Sequence, residues 1–167
     1  QWGEWPVGFQ RGSRQSAKMI LPWKMNFEFT SPSWTPGTDG PMRGPAVLMP
    51  TTMDEFNASK GKLKGAWLIR ASAPPRAPGG GGGAGQAGPS ELDAAIAGSG
   101  ALGTVTGSRN ELTVTGGNYR IEWDKLPTQR RITVRKSDMD SIMLALNTNR
   151  PCELEFDMEQ KFIKGPR

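Results

Sequence analysis

At 167 residues the chain is long enough for one domain with a core of its own. Its 22 glycines and 14 prolines imply long connections around a modest core, while six Trp, six Phe and eight Met demand burial and exclude disorder throughout. The net charge of +5 suits a solvated surface as readily as an anionic partner, and the complete lack of histidine closes the chain to Ser-His-Asp triads, Cys-His dyads and most zinc hydrolase sites.

The single cysteine, Cys152, excludes an internal disulfide and a Cys-only zinc site. No run reaches the 18 or so apolar residues of a membrane span. There is no recognisable leader, and the first residue is Gln1 rather than Met, as expected of a processed or excised piece.

Residues 1–44 form a lead-in rich in Trp, Pro and Gly. Within it "WKMNFEFT" (23–30) places Trp23, Met25, Phe27 and Phe29 on one face, the period of a strand. "SPSWTPGTDGPMRGP" (31–45) carries repeated turn signals, with Trp34 as a packing anchor. "AVLMP" (46–50) is a short buried strand, and Thr52-x-x-Glu55 is a capping box for a short helix. "KGKLKG" (60–65) predicts a basic turn before a second buried strand, "AWLIR" (66–70).

Residues 72–89 are a low-complexity Gly/Pro-rich segment, expected to be a flexible loop. No Gly-Lys-Ser/Thr follows its glycines, so it is not a phosphate loop. Ser90 then caps a helix with Asp93 three residues on, Leu92, Ala95 and Ile96 form its apolar stripe, and Gly98 and Gly100 end it. "ALGTV" (101–105) is the next strand, in which Gly103 admits a close neighbour. "LTVT" (112–115) and "YRIEW" (119–123) predict two further strands, separated by the Gly116-Gly117 turn. In "RITVRK" (131–136) Ile132 and Val134 point inward. Ser137-x-x-Asp140 caps a helix carrying Met139, Ile142, Met143 and Leu146. "CELEFDME" (152–159) alternates, with Cys152, Leu154, Phe156 and Met158 inward. The whole is a mixed α/β, β-rich domain with a strand core and about three short flanking helices.

Several of these stretches, in this order, resemble one family. "FNASKGKLKGAWLIR" (56–70) resembles the "kGKlkGKIVL" segment of protease-associated (PA) domains. The stretch from Glu91 to Gly117 resembles that family's helix–strand unit, and "RITVRKSDMDSIMLALNTNRPCELEFDME" its closing strand, helix and strand. Upstream, the Trp-Thr-Pro-Gly-Thr loop is similar to the region leading into the PA domain of secreted M28-type zinc peptidases. The resemblance implies a swivelling β/β/α fold, with residues 1–44 as a packed lead-in, 45–167 as the PA domain and 72–89 as an insertion. It implies a non-catalytic lid, substrate-access or docking module, without cofactor, whose zinc ions sit in a separate catalytic domain. The partners implied are that catalytic peptidase domain and its peptide substrate, in an extracellular or periplasmic setting. The alternative is an independent anion- or peptide-binding module.

Other signals are weaker. Arg130, Arg131, Arg135 and Lys136 make the densest basic cluster, but strand alternation accounts for it and few aromatics are interleaved, so nucleic acid is not a predicted partner. Glu153, Glu155, Asp157 and Glu159 share an outward strand face, where solvation is the ordinary fate of like charges and a calcium site the special one. Asn57-Ala58-Ser59 is a formal glycosylation sequon. The partner-facing residues expected from an inserted domain lie near its two ends: Trp2, Trp5, Phe9 and Arg11, with Phe162, Ile163 and Lys164.

Overall fold

The computed structural model describes residues 6–70, 90–114, 116 and 121–165. The expectations for Trp2, Trp5, residues 72–89 and the start of the 119–123 strand fall outside them. Eight strands and three helices follow in chain order: β1 (Val7–Leu21), β2 (Met25–Asn26), β3 (Phe29–Thr30), β4 (Met42–Leu48), α1 (Met53–Leu63), β5 (Trp67–Arg70), α2 (Glu91–Ala97), β6 (Gly103–Gly107), β7 (Arg131–Val134), α3 (Lys136–Asn147) and β8 (Glu153–Lys164). The fold is mixed α/β and strand-rich.

All eight strands join one sheet in the order β2-β1-β8-β4-β5-β6-β7-β3. The middle run β4-β5-β6-β7 is parallel and the flanking pairs are antiparallel. A parallel strand flanked by helices is buried on both faces, and β5 shows this: Trp67, Leu68 and Ile69 are all buried. Leu68 packs with Phe56 and Leu63 of α1 and Ile96 of α2. Trp67 and Ile69 point the other way, into the main core with Met139 and Ile142 of α3 and with Leu154, Phe156 and Met158 of β8. Helices α1 and α2 therefore cover one face of the sheet and α3 the other. Phe156 is the hub of the main core, with the Trp67 ring edge-on at 4.8 Å and the rings of Phe29 and Phe27 at 6.1 and 6.5 Å.

The inward residues of β7, α3 and β8 are those the periodicity predicts. The caps of α1 and α2 also form: Thr52 accepts from the Glu55 backbone N–H, and Ser90 and Asp93 complete a reciprocal box. Gly103 sits where a Cβ would lie 2.8 Å from the Arg130 carbonyl oxygen and 2.9 Å from the Trp67 ring, the close approach its position suggests.

Other expectations are corrected. Residues 23–30 are not one strand. The chain pairs with β1 at Met25 and Asn26, the Phe27 N–H still donates to the Ala17 carbonyl, and pairing passes to β7 from Phe29, with the Glu28 backbone N–H between them drawn to the buried Asp138 carboxylate at 2.8 Å. Lys60 and Lys62 lie inside α1 rather than in a turn. Leu112 and Val114 are exposed, and residues 112–114 belong to none of the strands among the described residues. Trp123 begins a three-residue 3-10 turn instead of ending a strand. Helix α3 starts one residue earlier than Ser137 and has no side-chain cap; Ser137 instead bonds Glu111, and Asp140 pairs with Lys136 at 2.5 Å. The largest omission is β1, fifteen residues with few apolar positions, paired along most of its length with β8.

Candidate functional site

The two ends of the described chain meet. Strands β1 and β8 pair from Val7 opposite Lys164 to Arg11 opposite Gln160, and the Gly165 N–H donates to the Pro6 carbonyl at 3.0 Å. Phe9 and Phe162 are cross-strand partners with ring centroids 6.1 Å apart. Trp34 closes the group from the other side, 6.1 Å from Phe9, with its indole N–H donating to the Val7 carbonyl. Trp34 holds this place with φ of 58°, a left-handed conformation uncommon for a bulky residue. The Arg11 guanidinium lies 5.8 Å from the Phe9 ring centre and donates to the Ser31 carbonyl. Lys164 lies 5.7 Å from the Trp123 ring centre. Phe9, Arg11, Phe162 and Lys164 thus share one face of the pair, and Ile163, half exposed, points to the other.

The carboxylate row of β8 is paired rather than free in solvent. Arg43 of β4 grips Glu153 with two bonds of 2.6 Å, Lys18 of β1 reaches Glu155 at 2.8 Å, and Arg14 reaches Asp157 at 2.8 Å. Arg43's hydrogen bonds hold the Glu153 carboxyl below its ordinary range. Because β8 lies between β1 and β4, cations reach the row from both neighbouring strands, and the row fastens strands together. Among the described residues no group of three or more His, Cys, Asp or Glu is placed to hold a metal ion. The basic cluster is likewise largely spent inside the fold. Arg130 donates to the Gly37 and Leu102 carbonyls, and Arg135 lies 2.9 Å from Asp138.

A second feature was not legible in the sequence. Parallel register sets Leu68, Thr104 and Arg131 in one row across β5, β6 and β7, and Arg70, Thr106 and Thr133 in the next row on the same face. Helices α1 and α2 cover Leu68 and leave the other five residues beside a cavity of about 510 Å³, with Asp93 and Gln129 at its rim. This cavity shares Met49, Arg70 and Asp93 with a larger hollow of about 860 Å³ along Leu48 and Leu92, between α1 and α2. It shares Pro32, Gln129 and Arg131 with a third, of about 480 Å³, beside Trp34 and Pro127. The three form one trough. Hydrogen bonds from Ser90 hold the Asp93 carboxyl below its ordinary range, and the charges of Arg70 and Arg131 add to this. Only Arg131 stands out by its own neighbours in sequence. Arg70 joins it through pairing across β6, which no local signal announces.

A single curled sheet with helices on both faces defines a mixed α/β domain. The chain matches no protein-family model, and no curated protein sequence matches it. Its fold is similar to part of two solved peptidases. One is the peptidase M28 precursor from Shewanella amazonensis SB2B, with a TM-score of 0.64 and 14% identity over 96% of this chain and 37% of that one. The other is the aminopeptidase from Aneurinibacillus sp. strain AM-1, with a TM-score of 0.59 and 12% identity over 95% of this chain and 34% of that one. The chain spans about a third of the length of these structures.

Proposed function

We propose that this chain is a non-catalytic protease-associated domain of an M28-like zinc metallopeptidase, acting as a lid, substrate-access or docking module. The observation that carries this reading is the fold likeness: nearly all of this chain resembles about a third of an M28 peptidase precursor. The lack of histidine throughout the sequence agrees with it, because M28-type zinc ligands would then belong to a separate catalytic domain. In this reading residues 45–167 are the PA domain and 1–44 its lead-in. The partners are the catalytic domain and its peptide substrate, and the setting is extracellular or periplasmic. No helix among the described residues is long and apolar enough to cross a membrane. The bonded pair at Pro6 and Gly165 supports insertion, since a host chain would leave and return at one point. The face bearing Phe9, Arg11, Phe162 and Lys164 is then the surface offered to the catalytic domain, with Ile163, Trp2 and Trp5 assigned to the same edge.

Two measurements test this. The flanking coding sequence is expected to supply a His-x-Asp motif and further carboxylate and histidine ligands. The purified chain is expected to bind no zinc stoichiometrically by calorimetry and to release no dye from an aminoacyl substrate with zinc added. Zinc-dependent hydrolysis by the chain alone, or a flank without ligands, overturns the reading.

A further inference from the structure

We infer that the trough over β5, β6 and β7 is a binding site for a peptide segment with acidic side chains beside an apolar one. The central observation is the pair of arginines. Arg70 and Arg131 are exposed and both line the middle cavity, and neither makes a hydrogen bond or ion pair among the described residues. Arg14, Arg43, Arg130 and Arg135, by contrast, all have protein partners. Between them stand Thr104, Thr106 and Thr133, whose hydroxyls can donate to an oxyanion. Guanidinium groups present a planar fork of donors suited to a carboxylate. The carboxylate lining the middle cavity, on Asp93, hydrogen-bonds Ser90 and keeps its own charge, so two guanidinium cations stand there against one anion, while Glu55 and Glu122 line the outer hollows together with Lys62 and Lys125.

The trough also says what flanks the acidic group. Toward α1 and α2 it becomes apolar, with Leu48, Met49 and Leu92, and Leu48 is 51% exposed. A cavity of this size accommodates a side chain or two, within the range of ligand clefts of about 300–1,000 Å³. A free phosphate would use the arginines and leave the apolar end empty, whereas a peptide with an acidic residue next to a leucine uses both. The inference does not depend on the parentage proposed above, because its experiment involves only this chain.

The test is titration of the chain, followed by calorimetry and amide NMR shifts, with an acetylated, amidated hexapeptide carrying two glutamates followed by two leucines. Saturable binding is expected, with shifts at Thr104, Thr106 and Thr133. Arg70→Gln and Arg131→Gln are each expected to weaken it about tenfold, the loss of one charge-assisted hydrogen bond. The glutamine version of the peptide is expected to weaken similarly. Leu48→Ser is expected to weaken the peptide while leaving any binding of inorganic phosphate unchanged. Arg150→Gln, which removes an equal charge at the far end of α3, is expected to change nothing. Unfolding midpoints of the variants should match the parent, since the substituted side chains are exposed. Absence of binding, equal loss in Arg150→Gln, or phosphate binding as tightly as the peptide overturns the inference.

Discussion

Cys152 shows how burial sets the chemistry of one residue. It immediately precedes β8, continues that strand's inward row of Leu154, Phe156 and Met158, and is nearly inaccessible. Desolvation pushes its thiol up to about 11 from an ordinary 9.0. The reactive thiolate is therefore scarce at neutral pH. A thiol reagent at pH 8 is expected to leave the native chain unmodified and to label it fully in denaturant; rapid labelling of the native chain would contradict this. The sign of the pH effect follows. The folded-state value is raised, so the contribution is intact below pH 9 and is lost as pH rises through about 11. Gly37 illustrates a different constraint. A Cβ there would lie 2.5 Å from the Met158 carbonyl oxygen, so only glycine lets the Trp34 loop run along β8, where Thr38 and Met158 exchange hydrogen bonds.

At the scale of elements, Asp138 decides where β3 goes. Its carboxylate, fully buried in the first turn of α3, accepts from the Glu28 N–H and sits against Arg135. Ser90, by contrast, caps a short surface helix. Asp138→Ala is expected to cost about 2–3 kcal/mol in urea unfolding, because it orphans a backbone donor and an arginine. Ser90→Ala should cost about 1 kcal/mol, and Asp138→Asn should recover part of the larger loss by keeping an acceptor for Glu28. Equal effects of the two alanine variants would remove Asp138 from this role. The same elements show what sequence can disclose. The caps at Thr52 and Ser90 were legible because a cap is a contact between residues three apart. The inward row Cys152, Leu154, Phe156 and Met158 was legible because alternation is local. Strand β1 was not, since only three of its fifteen residues are buried and two register shifts break its alternation. Leu112 and Val114 misled for the converse reason, being apolar residues with no strand beside them. The Arg70–Arg131 face depends on parallel register across β6, so only its Arg131 half lay in a cluster visible in the sequence.

For the molecule as a whole, the governing fact is that β1 and β8 are joined along most of their length. Three pairings across β8 carry opposite charges, Lys18 with Glu155, Arg14 with Asp157 and Arg43 with Glu153. The cations of these pairs are about half exposed, where ion pairs are worth little singly and are screened by salt, so their value here is in fixing register. Spin labels at Gln10 and Lys161, exposed partners in that register, test the geometry in a Cys152→Ser background. Strong dipolar broadening is expected from backbones about 5 Å apart. Uncoupled labels would separate the two ends and remove the geometric support for insertion.

The position of β8 also has a consequence for how the chain is made. Of the eight described strands it is the last in chain order, yet it belongs between β1 and β4. Arg14 must wait for a partner 143 residues later. A nascent chain can pair β1 with β2 and assemble β4, α1 and β5 early, but the sheet stays open between β1 and β4 until β8 has emerged. Such late, long-range closure slows folding and leaves strand edges exposed to other chains meanwhile.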